Sequence, residues 1–334
     1  MIFSPFLVAL LLSSSVVNAA VGNGYTFSFR GYHACAALGG YGYCWGSQGE
    51  DIKHVKKVTF ACANATGDVG AEPGEMTSLP ALPLFDPATD GDVGELTQMH
   101  TGWFASCGIT SNGAARCFGS QRLKTMRGHL VGGWVLGIGE QAGEYPTSLE
   151  REDITTLPLV VFSTTDAAYN PAPSARIIGS SIGPIVACHV FADGSLRCVG
   201  RNTDGLLGLN TYNNQMNMGS SRATMSRIPG GIAFKGGASI AKVSVGTENA
   251  CAISTVGDLF CWGGISAIYA DGSRSNARGN SPSRLLSAED PLNPQFANLP
   301  ATEVDVGPGD TMCAIFSNGE ASETNASEEN GSVL

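Results

Sequence analysis

Short apolar runs alternate with glycine-containing turns along this chain, and one such pair of runs recurs. In its clearest copy, residues 251–263, two apolar halves flank a turn at Gly257 and the second half ends in Cys-Trp-Gly. Two apolar runs joined by a short glycine turn predict a β-hairpin. Cys251 and Cys261 lie symmetrically about the turn. Directly opposed residues in antiparallel strands have Cα atoms roughly 4.5–5.5 Å apart, which is within reach of a disulfide.

The same hairpin pattern is found elsewhere in the chain. Residues 107–119 and 188–200 keep the spacing, residues 35–46 are one residue shorter, and a fifth copy begins at Cys313 without reaching a second cysteine. Repetition of one unit predicts a repeat architecture in which neighbouring units share their core. The disulfides predicted from this pattern are Cys35–Cys44, Cys107–Cys117, Cys188–Cys198 and Cys251–Cys261.

The repeating unit is longer than the hairpin. An apolar strand precedes several hairpins, at residues 175–179, 243–246 and 304–307, and a Gly-x-Leu-Gly loop follows the third at residues 205–208. Many short strands separated by glycine motifs are typical of a β-propeller or a β-sandwich. We expect the aromatic residues that follow the second cysteines to pack between units; these are Trp45, Phe118 and Trp262.

These units resemble the repeats of the regulator of chromosome condensation superfamily, which includes β-lactamase-inhibitor-protein-like propellers. The resemblance is carried by Gly31, His33 and Cys35, by Cys-Trp-Gly at residues 44–46 and 261–263, and by further motif residues. Its cysteine-bridged form is similar to secreted members and to Crinkly-type receptor ectodomains. The resemblance implies an all-β fold, a β-propeller of about six to seven four-stranded antiparallel blades with disulfide-stapled hairpins. The further motif residues are Asp193, Gly194, Asn202, Gly205, Leu207, Gly208 and Gly246.

The two ends of the chain differ from the repeats. Residues 1–20 contain an apolar run too short to cross a bilayer, followed by small residues, which predicts a cleaved signal peptide; a buried N-terminal strand or a signal anchor is the alternative. Residues 21–320 form the predicted propeller. Residues 321–334 are rich in Ser, Glu and Asn and are expected to be a disordered tail. Regularly paired cysteines fit an oxidising compartment, so we expect a secreted, extracellular protein with no membrane span after cleavage.

Two cysteines are left without a hairpin partner. Cys62 and Cys313 each belong to a unit whose second cysteine is missing, and a ring would bring the first and last blades together. They are predicted to pair; the alternative is that Cys62 is a free thiol at the end of a strand over residues 56–61. Glycosylation sequons begin at Asn64, Asn325 and Asn330.

The sequence contains no recognisable catalytic, cofactor or metal motif. The histidines share no metal-ligand spacing, and His33 and His189 flank repeat cysteines, where structural roles are expected. Residues 86–92 are similar to a calcium loop but lack its alternating ligands, so a solvated turn is expected. No Gly-x-Ser-x-Gly or phosphate-binding loop is present. The remaining histidines are His54, His100 and His129.

The charge and composition of the chain limit the classes of function that it can have. A net charge of −10 and scattered basic residues argue against a nucleic-acid surface. We therefore expect a monomeric, non-enzymatic propeller that presents blade loops, above all residues 120–175 and 210–237, to an extracellular protein or glycan. One alternative is a guanine-nucleotide exchange factor for a small GTPase. The other is a secreted hydrolase or lyase, which would need acidic or histidine side chains around the central tunnel.

Overall fold

The structure is a computed structural model that describes the repeat hairpins and most of the strands leading into them. The described residues are 19–21, 25–30, 33–46, 70, 72–103, 105–119, 122–124, 130–132, 157, 159–160, 162, 176–209, 217–218, 231–264, 291–293, 298–307, 311–324 and 332–333. Among them no helix is long and apolar enough to cross a membrane.

The described strands form antiparallel sheets whose spatial order follows the chain order. The first blade contains β1 (Ala19–Val21), β2 (Tyr25–Arg30), β3 (His33–Leu38) and β4 (Tyr41–Gly46). The second contains β5 (Leu96–Thr101), β6 (Ala105–Thr110) and β7 (Ala115–Gly119). A separate two-stranded sheet contains β8 (Arg122–Lys124) and β9 (Leu130–Gly132).

Three further blades follow in the same order. The third contains β10 (Ile177–Ile182), β11 (Val186–Phe191), β12 (Leu196–Arg201) and β13 (Asn217–Met218). The fourth contains β14 (Ile240–Val245), β15 (Asn249–Ser254) and β16 (Leu259–Gly263). The fifth contains β17 (Ala301–Val306), β18 (Met312–Phe316), β19 (Ala321–Thr324) and β20 (Ser332–Val333). About six to seven blades were expected; the described residues contain these five blade sheets.

Opposed cysteines staple four of the hairpins, as the sequence pattern predicts. Cys251 and Cys261 are direct partners in the β15–β16 register, and their Cα atoms lie 4.1 Å apart. The other three pairs repeat this geometry with Cα separations of 4.0–4.1 Å. The expected all-β fold of disulfide-stapled blades is therefore confirmed. The three other disulfides are Cys35–Cys44, Cys107–Cys117 and Cys188–Cys198.

Hydroxyl groups on the innermost strands join neighbouring blades. Ser28 Oγ accepts a hydrogen bond from the Thr101 amide at 2.9 Å, and Ser244 Oγ accepts one from the Val306 amide at 2.9 Å. Each of these serines lies directly opposite the first cysteine of its hairpin. Because a buried amide without a partner is costly, these bonds set the spacing of adjacent innermost strands.

The aromatic residues after the second cysteines pack as expected in two of the three hairpins. Trp262 is fully buried, and its indole Nε1 donates to the Leu206 carbonyl of the preceding blade at 2.9 Å. Phe118 is buried against residues of the first blade. Trp45 remains half-buried and packs on Phe27, with ring centroids 5.6 Å apart.

The C-terminal end of the chain differs from the sequence prediction. Residues 321–324 form β19 and residues 332–333 form β20, although the whole segment 321–334 was expected to be disordered. Backbone pairing with β18 needs no apolar side chains, so a polar segment can still complete a blade. At the other end, Ala19 and Ala20, the last two residues of the predicted signal peptide, pair with Phe27 and Thr26 in β1, and cleavage of the signal peptide stays a prediction. Residues 1–18 lie outside the described residues.

Candidate functional site: the turn face and its cleft

All the hairpin turns lie at the same end of their blades, and we call this end the turn face. The turns of the second to fourth hairpins hold the segment that leads into the next innermost strand: for example, the Gly194 carbonyl accepts from the Ile240 amide at 2.8 Å, and the Gly257 carbonyl accepts from the Ala301 amide at 2.8 Å. Gly257 has φ of 91°, and a Cβ there would lie 2.5 Å from Pro300. Glycine is therefore needed both for the turn and for the close approach of the next blade.

Large apolar side chains are exposed at the turn face. Tyr41 and Leu38 flank the first hairpin turn and are 60% and 48% exposed. Val256, in the turn of the fourth hairpin, is 71% exposed. Ile178, near the start of β10, is also exposed. Exposed apolar groups concentrated on one face are characteristic of an interaction surface.

A cleft opens on this face beside the first hairpin turn. Its walls are residues 39–41 of the turn, residues 82–87 of the connector to the second blade, and residues 91–96, which lead into β5. Isolated bridges between Gly40 and Leu96 and between Gly42 and Leu82 hold the walls together. The cleft therefore lies between the first blade and the connector that leads into the second blade.

A one-turn helix, α1 (Pro87–Asp90), supports one wall of the cleft. Asp86 caps it by accepting from the Ala88 amide at 2.9 Å. Asp90 forms a buried, two-pronged ion pair with Arg116, at 2.6 and 2.9 Å, and Arg116 also donates to the Leu84 carbonyl. The solvated turn expected at residues 86–92 is therefore wrong for Asp90, which holds this wall to the second blade. The Asp-Pro pair at the helix start was the sequence signal for the helix.

The opposite end of the innermost strands converges on Arg30. Its guanidinium is buried and donates to the carbonyl oxygens of Ile182 at 3.3 Å, Val245 and Val306. These carbonyls end the innermost strands of the third, fourth and fifth blades. Burial lowers the pKa of Arg30, while the charge of Asp305 raises it. Arg30 thus links the first blade to three others, and no feature of the sequence predicted this role.

Of the described histidines, His33 and His189 are buried structural residues and His100 is half-buried. His33 Nε2 lies 2.8 Å from Ser106 Oγ, and His189 Nδ1 lies 2.7 Å from Ser180 Oγ, which agrees with the structural roles predicted. Burial lowers the pKa of His33 and His100 to about 4. Burial, together with the neighbouring His100, lowers the pKa of His189 to about 3. His54 and His129 lie outside the described residues.

Several predicted site residues are not brought into one place. Cys313 lies in β18 with an exposed side chain, whereas Cys62, its predicted partner, lies outside the described residues. The sequons at Asn64, Asn325 and Asn330 also lie outside them. Among the described residues, no group of three or more His, Cys, Asp or Glu side chains could hold a metal ion. The pairing and the glycosylation therefore stay predictions.

Blades stacked around converging innermost strands define the class of protein: a β-propeller whose hairpins are stapled by disulfides. No family model and no curated protein matches the sequence. Among solved structures, human WBSCR16 matches with a TM-score of 0.54 and 15% identity over 90% of this chain and 61% of that one. Prp20p from Saccharomyces cerevisiae matches with a TM-score of 0.53 and 14% identity over 90% of this chain and 58% of that one.

The likeness to these structures supports the propeller fold. The chain spans about three fifths of the length of both proteins. Another solved complex names Prp20 as yeast RCC1, so propellers of the predicted superfamily are among the neighbours. The CRINKLY WD40 ectodomain of the Arabidopsis thaliana receptor kinase ACR4 also matches, with a TM-score of 0.42 and 10% identity over 96% of this chain and 73% of that one. At these identities the likeness concerns the fold alone.

Proposed function

We propose that the chain is an exported, non-enzymatic β-propeller that binds an extracellular protein through its turn face. The observation that carries the proposal is the exposure of Tyr41 and Val256 on that face, at 60% and 71%. Aromatic and aliphatic side chains left in water on one face gain free energy when a partner covers them. These apolar groups favour a protein over a glycan as the partner.

The disulfides support export. Four stapled hairpins are stable in an oxidising compartment and rare in a reducing one. This also argues against the exchange-factor alternative, whose small-GTPase substrates are cytosolic or nuclear. The hydrolase alternative requires acidic or histidine groups around the axis. There, the Asp305 carboxylate accepts a hydrogen bond from Ser244 Oγ at 3.0 Å and lies beside the charge of Arg30, whose guanidinium points at three carbonyl oxygens. His33 and His189 are buried.

Site-specific crosslinking tests the proposal. A photo-crosslinking amino acid is placed at Val256 or Tyr41 on the turn face, and at Glu248 in the β14–β15 connector at the opposite end as the control. The protein is produced in its own host, and crosslinked species are identified by mass spectrometry. We expect both turn-face positions to capture the same partner and Glu248 to capture none. Equal capture from both ends, or capture from Glu248 alone, contradicts the proposal.

A further inference from the structure

The cleft has a size that suits a segment of a partner protein. Its volume is about 810 Å³, which falls within the usual range of ligand-binding clefts. Leu84 and Leu96 contribute buried apolar surface to its walls, and Tyr41 and Phe85 contribute aromatic rings. The cleft is open to solvent on the turn face, so a chain can enter without any blade moving.

The charged residues that line the cleft are both acidic. Asp92 and Glu95 line it with exposed carboxylates, and no lysine or arginine is among the lining residues. Neither carboxylate forms an ion pair within the described part of the chain. Behind the wall, Arg116 is bound to Asp90. An occupant with positive charge would therefore meet two carboxylates that form no ion pair in the described residues, in a chain whose net charge is −10.

The cleft also exposes main chain. Four glycines line it, and a Cβ at Gly39 or Gly91 would meet no atom within 4 Å. The peptide groups beside these glycines are therefore not covered by a side chain. Exposed main-chain groups between apolar pockets are the usual means of holding an extended peptide, in which alternate side chains enter the pockets. The other two glycines are Gly40 and Gly94.

The walls are fixed before any ligand binds. Pro83 and Pro87 restrict one wall, and the Arg116–Asp90 pair ties it to the second blade. On the floor, Thr110 Oγ1 donates to the Val93 carbonyl, and the Ser111 amide donates to the Glu95 carbonyl at 2.8 Å. A preformed cleft loses little conformational entropy on binding, so its contacts contribute more fully to affinity.

The geometry points to an extended basic peptide segment as the occupant of this cleft. Lysine or arginine side chains of the segment lie at Asp92 and Glu95, and an apolar side chain between them packs against Tyr41 and Leu84. This inference rests on the proposed function, because it names the part of the partner that the turn face binds.

Synthetic peptides test the inference on the full chain. A short fluorescein-labelled peptide in which Lys and Leu alternate is titrated by fluorescence anisotropy, beside a matched peptide in which Glu replaces Lys. We expect the Lys peptide to bind at least about tenfold more tightly than the Glu peptide, and its affinity to fall as salt rises. Equal affinity for the two peptides, or no binding of either, overturns the inference.

Variants locate the binding. The double variant Asp92→Asn with Glu95→Gln should lower the affinity for the Lys peptide by about tenfold, and Tyr41→Ala should lower it severalfold. Glu320→Gln is the matched control, because Glu320 is an exposed carboxylate in the turn of the fifth hairpin, away from the cleft. Urea unfolding verifies that each variant is folded. If Glu320→Gln weakens binding as much as the cleft variants, the site is not the cleft.

The outcomes separate this inference from the proposed function. If the peptides fail to bind but the crosslinker at Val256 still captures a partner, the inference is wrong and the turn face remains the binding face. If the crosslinker also captures nothing, both fail.

Discussion

Two histidines, the half-buried His100 and the buried His189, stand where most of the other blades have small residues. His100 occupies the position opposite the first cysteine, and His189 follows the first cysteine of the third blade. Within the described part of the chain, His100 Nδ1 and His189 Nε2 are buried without a hydrogen-bond partner. Both therefore stay neutral. At the first position the other blades have Ser28, Ser181, Ser244 and Asp305, and at the second they have Ala36, Gly108, Ala252 and Ala314.

These histidines make the fold sensitive to acid. Their pKa values, about 4 for His33 and His100 and about 3 for His189, lie below the usual value of 6.5. The unfolded chain therefore takes up protons first, so stability falls as pH drops from about 6.5 towards about 4, by on the order of 3 kcal/mol for each histidine. Urea unfolding measured at several pH values checks this.

A variant with the small residues of the other blades at these two positions isolates the contribution of His100 and His189 to the acid sensitivity. His100→Ser with His189→Ala should remove about two thirds of the loss of stability between about pH 7 and about pH 4, leaving the share of His33. The comparison uses the change in the free energy of unfolding with pH, because the smaller side chains leave a cavity that lowers the stability at every pH. An unchanged slope would mean that the acid sensitivity comes from elsewhere.

At the scale of the hairpin, the turn glycines have two separate roles that a matched pair of variants can distinguish. Gly257 and Gly319 both have a positive φ, 91° and 84°. A Cβ at Gly257 would lie 2.5 Å from Pro300, whereas one at Gly319 would meet nothing within 4 Å. Backbone strain is thus common to both sites, and the clash with the next blade is confined to Gly257.

Alanine at the two sites should therefore differ in cost. Gly319→Ala should destabilise by roughly 1–2 kcal/mol, the cost of the left-handed conformation. Gly257→Ala should destabilise by roughly a further 1–3 kcal/mol, because Pro300 must move and the fourth and fifth blades must separate. Denaturant unfolding of both variants measures the difference. Equal losses would show that the turn is not held against the connector.

The hairpins could be predicted from the sequence because every determinant is local. The cysteine spacing and the turn glycines lie within about a dozen residues of one another, and together they set the register. The helix α1 was missed although Asp86 and Pro87 are a local helix-start signal, because a single helical turn is held in place by Arg116, which is 26 residues from Asp90. The strand β19 was missed because its pairing with β18 uses the backbone of a polar segment.

At the scale of the whole molecule, Arg30 replaces a glycine of the repeat. The equivalent positions in the other blades are glycines that allow neighbouring blades to approach closely; a Cβ at Gly183 would lie 2.5 Å from the Gly246 carbonyl. The Arg30 acceptors are 152, 215 and 276 residues away in the sequence. Sequence reading could not find this contact, nor the cleft, because both arise only when blades come together.

Replacing Arg30 tests its role as a link between blades. Arg30→Met keeps the apolar length of the side chain but leaves the carbonyl groups of Ile182, Val245 and Val306 without this donor. We expect a loss of about 2–4 kcal/mol, since each buried unsatisfied acceptor is costly. Thermal unfolding followed by near-ultraviolet circular dichroism measures it. If Arg30→Met leaves the stability unchanged, solvent already satisfies these carbonyls.

Disulfide mapping shows whether this protein is an exported propeller in which each hairpin carries its own disulfide. Protein recovered from the medium is digested without reduction, and its cross-linked peptides are identified by mass spectrometry. We expect four links, each within one hairpin: Cys35–Cys44, Cys107–Cys117, Cys188–Cys198 and Cys251–Cys261. Links between hairpins, or free thiols at these positions, would contradict both the blade register and export.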